Sequence, residues 1–397
     1  MNFPPLEKPL PKLIINAAIT GIVPTRAQSP HVPITADEIV ADVARCRDAG
    51  ASVIHLHVRD ADGQPTYEGE RFAEVIGRIR ADSPDLILSG STSGRIHREL
   101  GQRAAVLTLP PDLRPDLGSL TLGSLNFPGQ ASVNEPAMIR ALAETMHERG
   151  IVPEWELFDL GMADFARYLI DRKVLIGPHY ANILLGSLGT LAATPENLCA
   201  MVRALPEGTT WSATGIGRFQ FAINALAVTM GGHVRVGLED NLFYDAARTH
   251  LATNAGLIER VVRLARAAER GIATPDEARE MIGLAARVPL GRGAEATSEP
   301  GRTLSIAEPI LERIRPPQCA IEGRRRGRRG AGRLPGPRPA VVQALWHDRR
   351  LVRWRRRRLP SPGSSNSVRM RWRSRCLSAN LSLWMCERKR WRGARIA

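Results

Sequence analysis

A TIM (β/α)8 barrel followed by a disordered Arg-rich C-terminal tail is the fold class predicted by the sequence, on three observations. Short β-branched runs alternate with helix-length segments from about residue 13 to residue 284. Eight such runs can be counted, and strand–helix alternation calls for parallel strands joined by helical crossovers. The span of about 285 residues is the size at which eight strand–helix units close into a barrel. A doubly wound open sheet is the competing architecture. Its glycine-rich G-x-G-x-x-G turn after the first strand is absent, and Thr20-Gly21-Ile22-Val23-Pro24 stands there instead.

The strands are expected at Leu13–Ile19, Ser52–His57, Leu86–Ser91, Gly118–Leu125, Ile151–Phe158, Tyr180–Leu185, Thr210–Thr214 and Val234–Glu239. Helices are expected between them. Ala36–Ala49 follows the N-cap Thr35, whose side-chain oxygen can take one of the orphan N–H groups of a first turn. Gly69–Ala81, Pro136–Arg149 and Met162–Arg172 come next, then Pro195–Leu205 behind the cap Thr194, Phe219–Met230 and one long helix over Phe243–Arg270. Pro275–Leu284, capped by Thr274, is expected to close the barrel. Segments 96–107 and 126–136 have no clear pattern, and no internal repeat is present. The barrel domain is thus 1–284, with a Gly/Pro-punctuated linker at 285–320 that has room for a short helix at Ile306–Ile314.

The net charge of +15 would ordinarily suggest a nucleic acid or an anionic membrane. Residues 321–397 hold 22 Arg and one Lys against three acids, a net of +20, which leaves −5 for residues 1–320. The barrel is therefore mildly acidic, and its function has to be argued without attraction to polyanions. The tail has five of the seven Trp and neither Phe nor Tyr. Arg, Gly, Pro, Ser and Trp with almost no Lys is what a GC-rich gene yields out of frame, so a frameshift near residue 320 is expected. An RNA- or membrane-binding tail is the competing reading, since Arg and Trp suit phosphates and base stacking, but nucleic-acid binding by the tail is not expected to be its function. Cysteines 46, 199, 319, 376 and 386 form no C-x-x-C pair, so neither a disulfide framework nor a cysteine zinc site is expected, and the cytoplasm is the default compartment. Met1–Pro11 lacks the apolar region of a signal peptide, and no apolar run reaches the roughly 20 residues that span a bilayer.

Chemistry enters at Val53-Ile54-His55-Leu56-His57-Val58-Arg59-Asp60. On a strand, residues two apart share a face, so His55 and His57 can present two imidazoles together near the barrel mouth. Borderline-soft nitrogen suits zinc. Two hydrogen-bonded core histidines are the alternative. The last strand ends in Glu239-Asp240-Asn241, and a closed barrel places it one strand away from the histidines. Two His and a carboxylate leave a coordination position open for water or substrate, the catalytic zinc pattern. Taken alone, Glu239-Asp240 reads as a solvated turn or a helix cap.

Other strand ends carry hydroxyls and small residues: Ser91-Thr92-Ser93-Gly94, Ser124-Leu125-Asn126, Glu154-Trp155-Glu156 and Gly215-Ile216-Gly217-Arg218. Ser and Gly after a strand are ordinary turn chemistry. In a barrel they also face one cavity, where hydroxyls and free N–H groups can hold a carboxylate or an enolate oxygen. Gly217-Arg218, opening a helix after the seventh strand, is where barrels often bind phosphate.

In these residues the chain resembles the β-keto acid cleavage enzymes. The resemblance runs from about Leu13 to Leu284. It rests on Ala18-Ile19-Thr20-Gly21, the His55/His57 segment, Ser91-Thr92-Ser93-Gly94, Leu125-Asn126-Phe127, Val152-Pro153-Glu154-Trp155-Glu156, Gly215-Ile216-Gly217-Arg218, Met230-Gly231-Gly232-His233 and Gly237-Leu238-Glu239-Asp240-Asn241. It implies a zinc-dependent barrel enzyme, a homo-oligomer and often a tetramer, that turns a 3-keto acid and acetyl-CoA into acetoacetate and a new acyl-CoA. It further implies His55, His57 and Glu239 as zinc ligands, Asp240 as general base and Arg235 as the charge that positions the site. Ser91 and Ser124 would touch substrate, with Asn126 beside them, and Glu156 or Glu154 would be a supporting carboxylate. The prototype carries a Glu after its Thr-Gly for the substrate's amino group. Here Val23 stands in its place, which points to an apolar or differently charged acyl chain. Some proteins resembling the family are fused to a dehydrogenase-like domain, which the linker would suit. A metallohydrolase of the amidohydrolase type, with His179 or His233 as further ligands, is the alternative reading.

Overall fold

The computed structural model describes residues 9–127 and 129–286. Eight parallel strands close into a barrel, in the order of their appearance in the chain: β1 Ile15–Ala18, β2 Val53–Leu56, β3 Ile87–Gly90, β4 Leu117–Thr121, β5 Val152–Leu157, β6 Tyr180–Leu185, β7 Thr210–Gly215 and β8 His233–Val236. The last strand pairs with the first, Asn16 against Arg235, and the first with the second, Ala18 against His55. Helices α1 Ala36–Ala49, α2 Gly69–Asp82, α3 Pro136–Glu148, α4 Leu160–Asp171, α5 Pro195–Ala204, α6 Gln220–Thr229 and α7 Asn254–Ala267 pack outside it. The outer core of Ile39, Val43, Ile76, Ile79, Leu142, Met146, Leu257 and Val261 is buried between these helices and the sheet. The TIM barrel predicted from alternation is therefore the fold.

Local chemistry sets the helix ends. Thr35 caps α1 and, with Glu38, forms a reciprocal capping box, and Thr194 and Thr253 cap α5 and α7. Helix α8, Pro275–Ile282, starts at Thr274 with the same box through Glu277 and stops at Gly283 in the left-handed region. Its Ala278 and Ile282 pack with Ile14, Val53, Ile87 and Leu117, one residue near the start of each of the first four strands. Helix α8 thus plugs the N-terminal end of the barrel, as its sequence suggested.

Three expectations change. The helix predicted over Phe243–Arg270 begins only at Asn254. Residues before it form a loop in which Tyr244 N–H donates to His250 and the Asp245 carboxylate accepts from Thr249 and His250 N–H. A local carboxylate that satisfies backbone donors competes with the helix, and Thr253 then starts it. The fourth strand ends at Thr121, and Leu125–Asn126 pairs instead with Ala131–Ser132 in a separate hairpin. A second hairpin, Val58–Arg59 with Pro65–Thr66, and a short helix at Leu100–Arg103 had no sequence signal strong enough to place them. The predicted linker beyond residue 286, the helix at Ile306–Ile314 and the tail at 321–397 lie outside the described residues. Among the described residues, no helix is long and apolar enough to cross a membrane, and Cys46 and Cys199 are free thiols.

Candidate metal centre and active site

The site lies at the C-terminal mouth, where β2 and β8 flank β1. His55 is fully buried on β2, and its neighbour His57 follows the strand. Their Nε2 atoms approach to 3.3 Å. Glu239 reaches them from the turn after β8, with Oε1 3.4 Å from His57 Nε2 and Oε2 3.9 Å from His55 Nε2.

Glu239 does not arrive by strand alternation. Strand β8 ends at Val236, and the chain turns at Gly237 so that Asn241 N–H donates to the Gly237 carbonyl. A side chain at Gly237 would collide with the Ala18 carbonyl, so only glycine lets the turn lie against β1. Gly21, at φ 66°, likewise leaves room for the Glu239 side chain. Two polar side chains brace this corner. Asn254 accepts from Leu238 N–H (2.8 Å) and donates to the Ile19 carbonyl (3.0 Å). Arg59 donates to the carbonyls of Gly21 (2.7 Å) and Pro24 (3.0 Å), which pins the loop after β1.

Beneath His55 is a buried carboxylate. Glu154 on β5 is hydrogen-bonded to His55 Nδ1 at 2.8 Å and accepts from Asn16, Asn182 and the Ser89 hydroxyl. Burial alone would lower the His55 pKa. The Glu154 charge and hydrogen bond and the Glu239 charge together outweigh burial and the opposing Arg235 charge, and hold His55 at about 9. Burial would raise Glu154, but its paired imidazole and donors hold it at about 2. For His57 burial wins, and its pKa falls. Beside the cluster, the buried Arg235 guanidinium contacts three carboxylates. Nε and Asp240 Oδ2 are 2.9 Å apart, Nη2 and Glu239 Oε1 2.9 Å, and Nη1 and Glu156 Oε1 3.2 Å. Glu156 also accepts from the Thr121 hydroxyl at 2.6 Å. Burial and the Glu239 charge raise the Asp240 pKa although Arg235 opposes them, so this carboxylate is more basic than an ordinary Asp.

The chemistry fits a divalent metal. One ligand atom each of His55, His57 and Glu239 lies within 4.8 Å of the others, and Glu239 Oε2 is a buried oxygen without a hydrogen-bond partner. The Glu154–His55 contact is the outer carboxylate that fixes a metal-binding imidazole's orientation.

A cavity of ≈ 700 Å³ opens over this cluster. It is lined by His57, Glu156, Arg235, Glu239 and Asp240, by Ser91 and Ser93, and by Val23. His55 lies fully buried beneath it, and four other predicted residues are not brought to its wall. The Ser124 hydroxyl accepts from Asn134 N–H (2.8 Å), and Asn126 sits exposed on its hairpin. Gly94 packs against the Arg103 guanidinium. Arg218 is exposed over a separate cavity of ≈ 290 Å³ shared with Tyr244 and Arg260. Thr121, which no motif marked, stands at the wall where the family resemblance implied Ser124. The further ligands a hydrolase would need are at the wrong end. His233 begins β8 and its Nδ1 accepts from Ile14 N–H, while His179 packs tilted against Trp155 just before β6.

A sequence profile for the beta-keto acid cleavage enzymes matches residues 12–284. The 3-keto-5-aminohexanoate cleavage enzyme of Fusobacterium nucleatum subsp. nucleatum is 42% identical over 274 residues, which is 69% of this chain and 98% of that protein. The 3-oxoadipate:acetyl-CoA acetyltransferase of Cupriavidus necator is 37% identical over 274 residues, covering 68% of this chain and 94% of that one. Among solved structures, apo ObcA superposes with a TM-score of 0.58 at 22% identity, covering 65% of this chain and 66% of that one, a likeness of fold.

Proposed function

The chain belongs to the β-keto acid cleavage enzyme family, and on that premise we propose that it transfers an acyl group between a 3-keto acid and acetyl-CoA. The products are acetoacetate and a new acyl-CoA. The observation that carries this reading is the convergence of His57 and Glu239 on the buried His55, beside the Arg235–Asp240 pair that lines the same cavity.

His55, His57 and Glu239 would hold the metal, which we take to be zinc. When bound, it supplies a Lewis acid for the keto and carboxylate oxygens of the substrate. Asp240, made more basic by burial, accepts the proton from the carbon between the keto and carboxyl groups. Arg235 keeps that carboxylate oriented through its 2.9 Å contact and balances the negative charge of the site. The carbanion so formed attacks the acetyl-CoA thioester, a C–C bond forms, and the C–S bond breaks to release CoA thiolate. The thiolate then attacks the other keto carbon. The bond from that carbon to the original nucleophile breaks, giving acyl-CoA, and the leaving carbanion takes back a proton as acetoacetate. Ser91 and Ser93 supply hydroxyls at the wall, and Glu156, held by Thr121, fixes the outer side of Arg235. Ser124, Asn126, Gly94 and Arg218 act in this reading through the loops they build. We take the enzyme as a cytoplasmic homo-oligomer, a tetramer being the arrangement to test first.

A coupled assay checks the proposal. The purified chain, given acetyl-CoA and a panel of 3-keto acids, should form acetoacetate in a CoA-dependent manner. Hydrolysis that proceeds without CoA would sink it.

A further inference from the structure

Two cations among the described residues line the cavity without belonging to the centre, and one of them is partly shielded from solvent. Arg95, in the loop after β3, is partly buried and lines the same wall as Glu239 and Asp240. Its guanidinium carbon lies 3.4 Å from the centre of the Phe127 ring, so one face of the plane is covered. Its Nε is buried without a hydrogen-bond partner. Among the described residues, no carboxylate lies within ion-pair distance of it, although the charges of Glu239, Glu156 and Asp240 act on it across the cavity, and only its backbone N–H is hydrogen-bonded, to Ser93 Oγ at 3.4 Å. Arg235, in the same cavity, differs in being saturated by three carboxylates. Arg248 also lines the cavity but stands exposed at the rim over Phe243.

An arginine remains charged even where burial disfavours the charge, and a buried charge without a partner is costly. A guanidinium stacked on one face and open along its edge is pre-shaped for a carboxylate, which it can grip with two parallel hydrogen bonds. The metal cluster and Arg235–Asp240 already account for the reacting end of a 3-keto acid. Val23 shares the cavity wall and offers a cationic substituent no partner, while Arg95 would repel one.

We propose that Arg95 is a specificity residue that binds a carboxylate at the far end of the acyl chain, so that the preferred substrates are 3-keto diacids. The proposal rests on the acyl-transfer reading above. Once bound, the distal carboxylate lies between the open edge of Arg95 and water, with Phe127 keeping the guanidinium in place.

The test compares 3-oxohexanedioate with 3-oxohexanoate, in which a methyl group replaces the distal carboxylate, using the full chain with acetyl-CoA and following acetoacetate. Wild type should favour the diacid in kcat/KM by about 10- to 100-fold, the range for one hydrogen-bonded charged group. Arg95→Met should bring the ratio close to one, and Arg95→Lys should restore part of it, since lysine keeps the charge but loses the fork. An equal fall on both acids would overturn the inference and place Arg95 on the carboxylate they share. A rise only in the KM for acetyl-CoA would overturn it in favour of a CoA phosphate. Turnover of uncharged chains with no preference for the diacid overturns it and leaves the reaction standing. No acetoacetate from any 3-keto acid overturns both.

Discussion

At its N-terminal end the barrel lumen is closed by Ile14, Val53, Ile87 and Leu117 packed under Ile282 of α8; at its C-terminal end β2 carries His55, and β8 with the turn after it carries Arg235, Glu239 and Asp240. Between the two lies a polar layer in which Asn16, Asn182 and Ser89 converge on Glu154. The lower end stabilises by excluding water, at roughly 25 cal/mol per Å² of apolar surface. The upper end holds charges out of water and depends on their mutual pairing, which yields little net stability. Stability and chemistry are therefore separable by position along one set of strands, and four measurements can sharpen or break that separation.

The greatest effect is expected at the top. Removal of the metal by a chelator, or His57→Ala, should lower kcat/KM by about 10³-fold or more, as expected when a Lewis acid is lost. The thermal midpoint of His57→Ala should move little, because no apolar packing is removed. An activity loss matched by unfolding would break the separation. Next, Ile282→Ala at the plug should cost about 2–4 kcal/mol in denaturant unfolding. The kcat of its folded fraction should match wild type, and a change in kcat would show that the two ends are coupled. Glu154→Gln lies between them. It keeps the shape of the side chain and loses the charge facing His55, so metal affinity should fall about 10- to 100-fold by competition titration. Unchanged affinity would remove Glu154 from the metal's support.

The smallest effect concerns His233, which is buried at the lower end and accepts from Ile14 N–H. Burial, with Arg270 adding to it, depresses its pKa to about 3. An unfolded chain binds this proton below about pH 6.5, whereas the folded chain does not until about pH 3. Stability should therefore be full above pH 6.5 and fall as pH drops through that window, by at most about 1.4 kcal/mol per pH unit from this residue. His233→Asn, which keeps an acceptor but cannot titrate, should flatten that slope in urea midpoints measured from pH 7 to pH 5. An unaltered slope would assign it elsewhere.

What could be read from the sequence follows the range of the interactions involved. Strand–helix alternation and Thr caps are local, and they located the barrel, α1, α5 and α8. His55 and His57 lie two apart, so their meeting needed only a strand. Glu239 was reached by placing it at the end of the last strand of a closed barrel, whereas that strand stops at Val236 and the actual path is the Gly237 turn against Ala18. The contact was right and its cause was different. The long helix over 243–270 failed because Asp245 ties up Thr249 and His250 N–H, a competition that apolar spacing does not reveal. Arg95, Thr121, Arg59 and Asn254 were not legible at all. Each gains its role from a loop or strand distant in sequence, as when Asn254 joins Leu238 to Ile19.

The seam between β1 and β8 has a consequence for how the protein is made. His55 and His57 leave the ribosome long before Glu239, and the Gly237 turn has nothing to rest on until β8 docks beside Ala18. A nascent or truncated chain that has not yet laid down its final strand holds two histidines and no third ligand. The proposed metal site is thus complete only once the ring has closed.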